Sequence, residues 1–248
     1  MYEFAKYCYL CIGNFLNLIV QFTVAHMQIR DEDSTHALTL WEVIANEYID
    51  RDLELRMRVE NQQTLPNYVV MVQQDILSEI MACMLILNKR ESEHPEMREA
   101  AVGALTAVIE CGDLGMVEKV TEGVATILKS SNPGERQAST LMFSCLSNFK
   151  DPDEIRKHFK NGFNYFYKLL QDNDLTVVKN TLNGFVTLSE RFPEVWLENP
   201  EIKPIFSHLL KMAEAKDQDI KLLSLNILIN ITEVLPRYPE PIGVDPKD

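Results

Sequence analysis

One pattern is written twice in this chain, 43 residues apart: residues 174–191 read DLTVVKNTLNGFVTLSER and residues 217–234 read DQDIKLLSLNILINITEV. Each opens on an acidic, turn-like start. Each continues with apolar residues at three- and four-residue steps, the spacing of one face of an α-helix. In the first copy that face is Leu175, Val178, Leu182, Phe185 and Val186; in the second it is Ile220, Leu223, Ile227, Ile231 and Val234. The polar face recurs in register, with Asn183, Thr187 and Glu190 matched by Asn226, Asn230 and Glu233. A helix pair repeating at this period predicts a solenoid of HEAT or armadillo type. Such a pair buries only part of its apolar surface and needs its neighbours for the rest.

The rest of the chain fits the same scheme. Periodicity predicts helices over 6–29, 35–59, 67–88, 97–111, 114–129, 135–149, 152–171, 174–191, 195–214 and 218–235. Ser34 reads as an N-cap, Pro95 as the start of a helix, and Pro200 and Pro204 as an early break in 195–214. Predicted inward positions include Trp41, Ile44, Ile76, Ile80, Ala101, Leu105, Val117, Val120, Met142 and Cys145. No strand pattern emerges. The expected fold is therefore all-α, a HEAT/armadillo-type helical-repeat solenoid of about five helix pairs. It spans 1–235 as one solenoid, and 236–248 form a Pro-rich tail with four prolines in thirteen residues. Neither end helix carries the polar outer face that a capping repeat needs. Further repeats, or something else, are expected to cover each end.

Formal charge is −13, with a pI near 4.9. That balance argues against nucleic acid or an anionic membrane as partner, since both require a basic footprint. It suits a basic partner, or simply solubility. The five cysteines, Cys8, Cys11, Cys83, Cys111 and Cys145, all fall in apolar helical stretches. They read as buried free thiols in a reducing compartment. Cys8 and Cys11 form a CxxC, but there is no second pair for zinc and no βαβ pattern for redox chemistry. Residues 7–25 are apolar enough to be weighed as a signal or membrane segment. Asn14, Asn17 and Gln21 interrupt them and only Lys6 flanks them on the N-side, so a buried solenoid helix is expected. No phosphate-binding, dinucleotide, zinc-protease or nucleophile-elbow motif is present. The five histidines are scattered over different helices and turns. The sequence predicts no enzyme, no cofactor and no metal site.

The second helices of such stacks line the inner curve. Their polar stripes predict a ladder: Thr106 and Glu110; Thr140, Ser144 and Ser147; Asn183, Thr187 and Glu190; Asn226, Asn230 and Glu233. Carboxylates and amides spaced over such a surface suit an extended basic peptide or helix, held by charge-assisted hydrogen bonds.

Four stretches resemble the importin-beta (karyopherin-beta) nuclear transport receptors. They are Leu38-Thr39-Leu40-Trp41-Glu42 with Asn46-Glu47, Leu141 to Leu146, Asp172 to Glu194, and Asp219 to Glu233. Their order and spacing are similar to the family's over most of residues 10–235, in the middle of a much longer receptor. The resemblance implies a superhelix that carries protein cargo through the nuclear pore, often through a basic adaptor helix on an acidic concave face. Ran in its GTP form and Phe-Gly nucleoporins would then be partners of the complete receptor, in cytoplasm and nucleus. The family's acidic loop between two helices would correspond to Glu91, Glu93 and Glu96, a weaker acidic turn here. The family's concave tryptophans fall by alignment on Asn183 and Asn226. Trp41 is retained and reads as core. The alternative reading is a HEAT-repeat scaffold subunit of a protein complex, of the phosphatase-scaffold kind.

Overall fold

Successive amphipathic helices of this length can only hide their apolar stripes against one another, and the structure shows how they do so. A computed structural model describes residues 2–29, 32–57, 64–86, 95–151, 153–155, 157, 166–197 and 202–234. Among the described residues there is no strand. The helix expected over 152–171 lies largely outside them. So do Pro200, the acidic-turn residues Glu91 and Glu93, and the Pro-rich tail.

The chain forms two compact units, Met1–Ile155 and Arg156–Asp248. The first opens with α1 (Tyr2–Tyr7), a 3-10 segment (Tyr9–Phe15) and α2 (Leu16–Ile29). These replace the single helix expected over 6–29. The break falls at Cys8, whose φ of −119° and ψ of 33° leave the helical region. Then follow α3 (Glu32–Met57), α4 (Tyr68–Ile86), α5 (Pro95–Cys111), α6 (Leu114–Ile127) and α7 (Pro133–Leu146). The helices alternate. α2, α4 and α6 pack side by side as first members of three pairs, and α3, α5 and α7 pack side by side as second members. Gly103 allows one close approach: a Cβ there would sit 2.8 Å from Oε2 of Glu42, so α3 and α5 meet over a bare backbone.

The second unit contains α8 (Leu175–Arg191), α9 (Pro193–Leu197), α10 (Ile202–Met212) and α11 (Gln218–Val234). α8 lies along α11, and α9 and α10 also pack on α11. Its core centres on Phe185, which meets the rings of Phe166 and Trp196 edge-on at 6.3 and 4.8 Å. Pro193 opens α9, where a missing N–H costs nothing. Pro204 sits in the first turn of α10 and does not break it.

The acidic starts act as caps. Asp174 accepts from the N–H groups of Thr176 and Val177 at 2.9 and 3.1 Å. Asp217 accepts from Asp219 and Ile220 at 3.0 and 3.2 Å, two helix-end donors that would otherwise be unpaired. Ser34 does not cap α3. It lies inside the first turn, buried, and its hydroxyl donates to the His26 carbonyl at 2.7 Å, tying the end of α2 to α3.

Most predicted core positions are buried, Trp41, Ile44, Ile76, Ile80, Ala101, Leu105, Val117, Val120, Val178, Leu182, Phe185, Ile227 and Ile231 among them. Leu175 is an exception: it is 58% exposed at the first position of α8, beyond the reach of its neighbours. The thiols divide. Cys83, Cys111 and Cys145 are buried, whereas Cys8 is half-buried and Cys11 exposed. Burial pushes the Cys111 thiol up to about 12 and that of Cys145 up to about 11, so both stay protonated and unreactive at neutral pH.

The stretch Tyr9–Ile29 is long and apolar enough to cross a membrane by length and composition, yet only 22% of it is buried. α2 hides Leu16, Thr23 and Met27 and leaves the rest half-buried or open, which corrects the expectation of a buried helix.

A second polar link inside the first pair joins two buried side chains. The indole Nε1 of fully buried Trp41 donates to Thr23 Oγ1 at 2.9 Å, while that hydroxyl donates to the Ile19 carbonyl at 2.8 Å. Thr23→Val keeps the volume but leaves the indole donor unpaired, and should cost about 1–3 kcal/mol in urea unfolding. Thr126→Val, on an exposed helix face, should cost no more than about 0.5 kcal/mol.

Candidate functional site

α8 and α11 are adjacent in the second unit because their sequences bury matching stripes. Val177, Val178, Leu182, Phe185 and Leu188 are hidden on α8; Ile220, Ser224, Ile227, Leu228 and Ile231 are hidden on α11. The outward residues include the polar set that recurs in the sequence, beside exposed Leu175 on α8 and exposed Leu222, Leu225 and Ile229 on α11. Asn183 and Glu190 are exposed and Thr187 half-buried on α8; Asn226 and Glu233 are exposed and Asn230 half-buried on α11. The amides of Asn183 and Asn226 have no hydrogen-bond partner among the described residues, so both keep a donor pair and an acceptor available.

Asn230 is different. Its Nδ2 donates to Ser189 Oγ at 3.0 Å, so it joins the two helices rather than facing outward freely. At the other end of the same joint, Lys179 Nζ sits 3.0 Å from Asp217 and 2.8 Å from Asp219. The hydrogen bonds to Asp219 and Asp217 raise the Lys179 pKa, and the Lys179 bond lowers that of Asp217. The single lysine offsets part of the charge of two aspartates at the start of α11, and Glu190 and Glu233 are the exposed carboxylates of the two polar stripes.

The ladder expected on the first unit is only partly there. Thr106 and Glu110 on α5 and Ser144 on α7 are half-exposed. Thr140 and Ser147 are buried, with hydroxyls turned to the carbonyls of Gln137 and Ser144 at 2.7 and 2.6 Å. Thr106 Oγ1 lies 3.3 Å from Cys145 Sγ and so serves the joint between α5 and α7. α7 is packed on by α4, α5 and α6, and its polar residues are small enough to be absorbed. Of the acidic turn, Glu96 is exposed in the first turn of α5. Trp41 is core.

One acidic residue was missed as a site candidate. Glu42 is half-buried on α3, with its carboxylate against Gly103 of α5, and burial pushes its carboxyl above the usual range. The signal was in the sequence, as a glycine in the middle of a second helix, a position that favours any other residue unless something comes close. Among the described residues no three of His, Cys, Asp and Glu come together to hold a metal.

No family model matches the chain, and no curated protein matches it by sequence. Solved structures do. A Kap95–Nup1 complex matches with a TM-score of 0.84 at 15% identity, covering 96% of this chain and 28% of the other. The fold is importin-beta-like. Yeast importin-beta (Kap95p) itself matches at TM-score 0.80 and 17% identity, over 95% of this chain and 28% of that one. A Kap95p structure described as switching the loops of RanGDP to the GTP-bound conformation matches at 0.81 and 16%, over 96% and 28%. The chain thus spans little more than a quarter of these importin-beta chains. At such identities the likeness is one of fold: paired helices stacked as in importin-beta.

The Lys179 bridge gives the site a pH signature. Asp217, with a lowered folded pKa, adds stability that is present above its unfolded value near 3.8 and lost as pH falls through the folded one. Lys179, with a raised folded pKa, adds stability that is present below 10.5 and lost as pH rises through its folded value. Lys179→Met should therefore lower the melting temperature most between about pH 5 and pH 9, with the difference shrinking as pH falls below 3.8 through the lowered Asp217 value. Molar salt should shrink the difference, because the pair is exposed.

Proposed function

We propose that this chain is a binding segment of a nuclear transport receptor, taking a basic cargo or adaptor segment on the face formed by α8 and α11. The importin-beta-like fold over nearly the whole chain is the observation that carries this reading. The site supplies the chemistry. Asn183, Thr187 and Glu190 on α8 recur as Asn226, Asn230 and Glu233 on α11, with the carboxylates Glu190 and Glu233 at the interval of the repeat. Exposed carboxylates hold Arg and Lys side chains by charge-assisted hydrogen bonds, and free amides pair with main chain or side chain. A net charge of −13 steers a basic partner toward the chain and repels nucleic acid.

Asn183 and Asn226 offer hydrogen bonds where the family offers tryptophan faces, so grip here depends on polar contacts rather than stacking on cationic side chains. The acidic turn at Glu91, Glu93 and Glu96 adds charge to the same class of partner. In the complete receptor, Ran and Phe-Gly nucleoporins are the further partners, as structures of Kap95 with RanGDP and with Nup1 suggest by analogy. The role is to hold and deliver protein in cytoplasm, nucleus and nuclear pore, without bond-making chemistry or cofactor.

Fluorescence anisotropy with a labelled Arg/Lys-rich helical peptide tests this directly. The chain should bind it in a salt-dependent way, and Glu190→Lys with Glu233→Lys should weaken binding about tenfold or more. Lys203→Glu, exposed on α10, should not weaken it. Absence of binding by the unaltered chain, or indifference to the double reversal, would hand the case to the scaffold reading.

A further inference from the structure

Between α3 and α5 two local exceptions fall at one spot. Gly103 stands in the middle of α5, where any residue other than proline would hold the helix better. Glu42 lies against it from α3, half-buried, with no hydrogen-bond or ion-pair partner among the described residues. Burial pushes its carboxyl up, and no cation among the described residues offsets that. The hydroxyls beside it are engaged elsewhere. Thr39 donates to the Thr35 carbonyl at 2.9 Å, and Thr106 Oγ1 lies 3.3 Å from Cys145 Sγ. A sequence that is otherwise locally consistent keeps such exceptions where function needs them. The spot is not at an end of the first unit: α3 packs on α1 and α5, and α5 on α3 and α7.

The geometry of the contact is specific. A Cβ on Gly103 would meet Oε2, Cδ and Oε1 of Glu42 at 2.8, 2.9 and 2.9 Å. Near-equal distances to all three atoms put the glycine on the flat side of the carboxylate. In line with the carboxylate edge, both oxygens would be clearly nearer than Cδ. The edge, which carries lone pairs of both oxygens, is therefore left free.

We propose that Glu42 is the seat for an arginine of a basic partner, gripped by a two-bond fork and preferred over lysine. This rests on the reading that the chain takes basic segments, and it adds the residue that chooses between the two cations. Charge selects a cation. The positions one turn away on the same face are Thr39 and Asn46 on α3 and Glu99 and Thr106 on α5. They add a second carboxylate and no Lys or Arg. Shape selects the guanidinium. It is planar and offers two parallel N–H groups to the two oxygens of a carboxylate, whereas an ammonium is a point donor that gains nothing from a free edge. The guanidinium is also the more weakly hydrated of the two, so it gives up less on entering a half-buried place. Gly103 lets the carboxylate lie down on α5; a side chain there would displace it.

Fluorescence anisotropy on the full chain tests this, with two helical peptides identical except that every basic residue is Arg in one and Lys in the other. The Arg peptide should bind about tenfold more tightly. Glu42→Gln should bring its affinity down to that of the Lys peptide. Gly103→Ala should do the same, because its Cβ displaces the carboxylate while favouring the helix. A preference that survives both substitutions overturns the proposal. Equal binding of the two peptides by the unaltered chain overturns it too and leaves the reading of α8 and α11 standing; binding of neither overturns both. A thermal melt at neutral pH separates the seat from a structural role. Glu42→Gln removes a partnerless charge and should leave the melting temperature unchanged or raised. A fall of several degrees would make Glu42 a structural post of the α3–α5 joint, and the proposal would fail.

Discussion

The packing of one second-member helix on the next is the constraint from which the rest follows. α3 lies on α5 and α5 on α7 in the first unit; α8 lies on α11 in the second. A helix held on one flank by its own partner and on another by its neighbour in the stack must be apolar over more than half its circumference. Little sequence remains to face outward. On α8 that remainder is Asn183, Thr187 and Glu190, with Leu175, Thr176 and Arg191 near its ends. A binding face made this way is narrow, polar and repeated, because it consists of the positions that burial leaves over.

The same constraint explains which expectations from sequence held and which did not. Periodicity places Val178, Leu182 and Phe185 on one face of a helix, and the structure buries all three. It locates the helix starts after Asp113 and Asp174 to within a residue, but sets the start after Asn132 two residues late, at 135, because Pro133 opens the helix instead of breaking it. What periodicity does not tell is how many neighbours a helix has. Thr140 and Ser147 have the spacing of an outward stripe, yet lie buried because α7 is packed from several sides. Their short hydroxyls bond to carbonyls of their own helix and need nothing from solvent. Leu175 shows the converse, an apolar residue at a helix start with nothing to cover it.

The N-terminal region shows a different limit. Tyr9–Ile29 reads as one continuous apolar stretch with no proline and a single glycine, Gly13. The chain nevertheless turns at Cys8 and tightens into a 3-10 segment, because long-range contacts pull on it. Tyr9 donates to the Pro66 carbonyl at 2.9 Å and Tyr68 to the Leu10 carbonyl at 3.2 Å. Arg51 reaches the Lys6 carbonyl at 2.7 Å with its guanidinium 5.7 Å from the Tyr9 ring. Tertiary hydrogen bonds of this kind override local preference, and partners 57 or 58 residues away leave no mark on local periodicity. The polar stripes on α8 and α11 were legible because they repeat. Glu42 was not, because its setting depends on a glycine in another helix.

The buried hydroxyls have a mechanical side. Thr181, Ser189 and Ser224 each donate to a carbonyl three or four residues back in their own helix, at 2.7, 2.8 and 2.7 Å. They cross no joint as donors. Between α8 and α11 the directional links among the described residues are few: Lys179 with Asp217 and Asp219 near the helix starts, and Asn230 with Ser189 toward the far ends. Pinned at two points and greased by dispersion in between, the joint resists sliding more than it resists a small change of crossing angle. Elastic give of this sort lets a row of like joints adjust its curvature to guests of different girth.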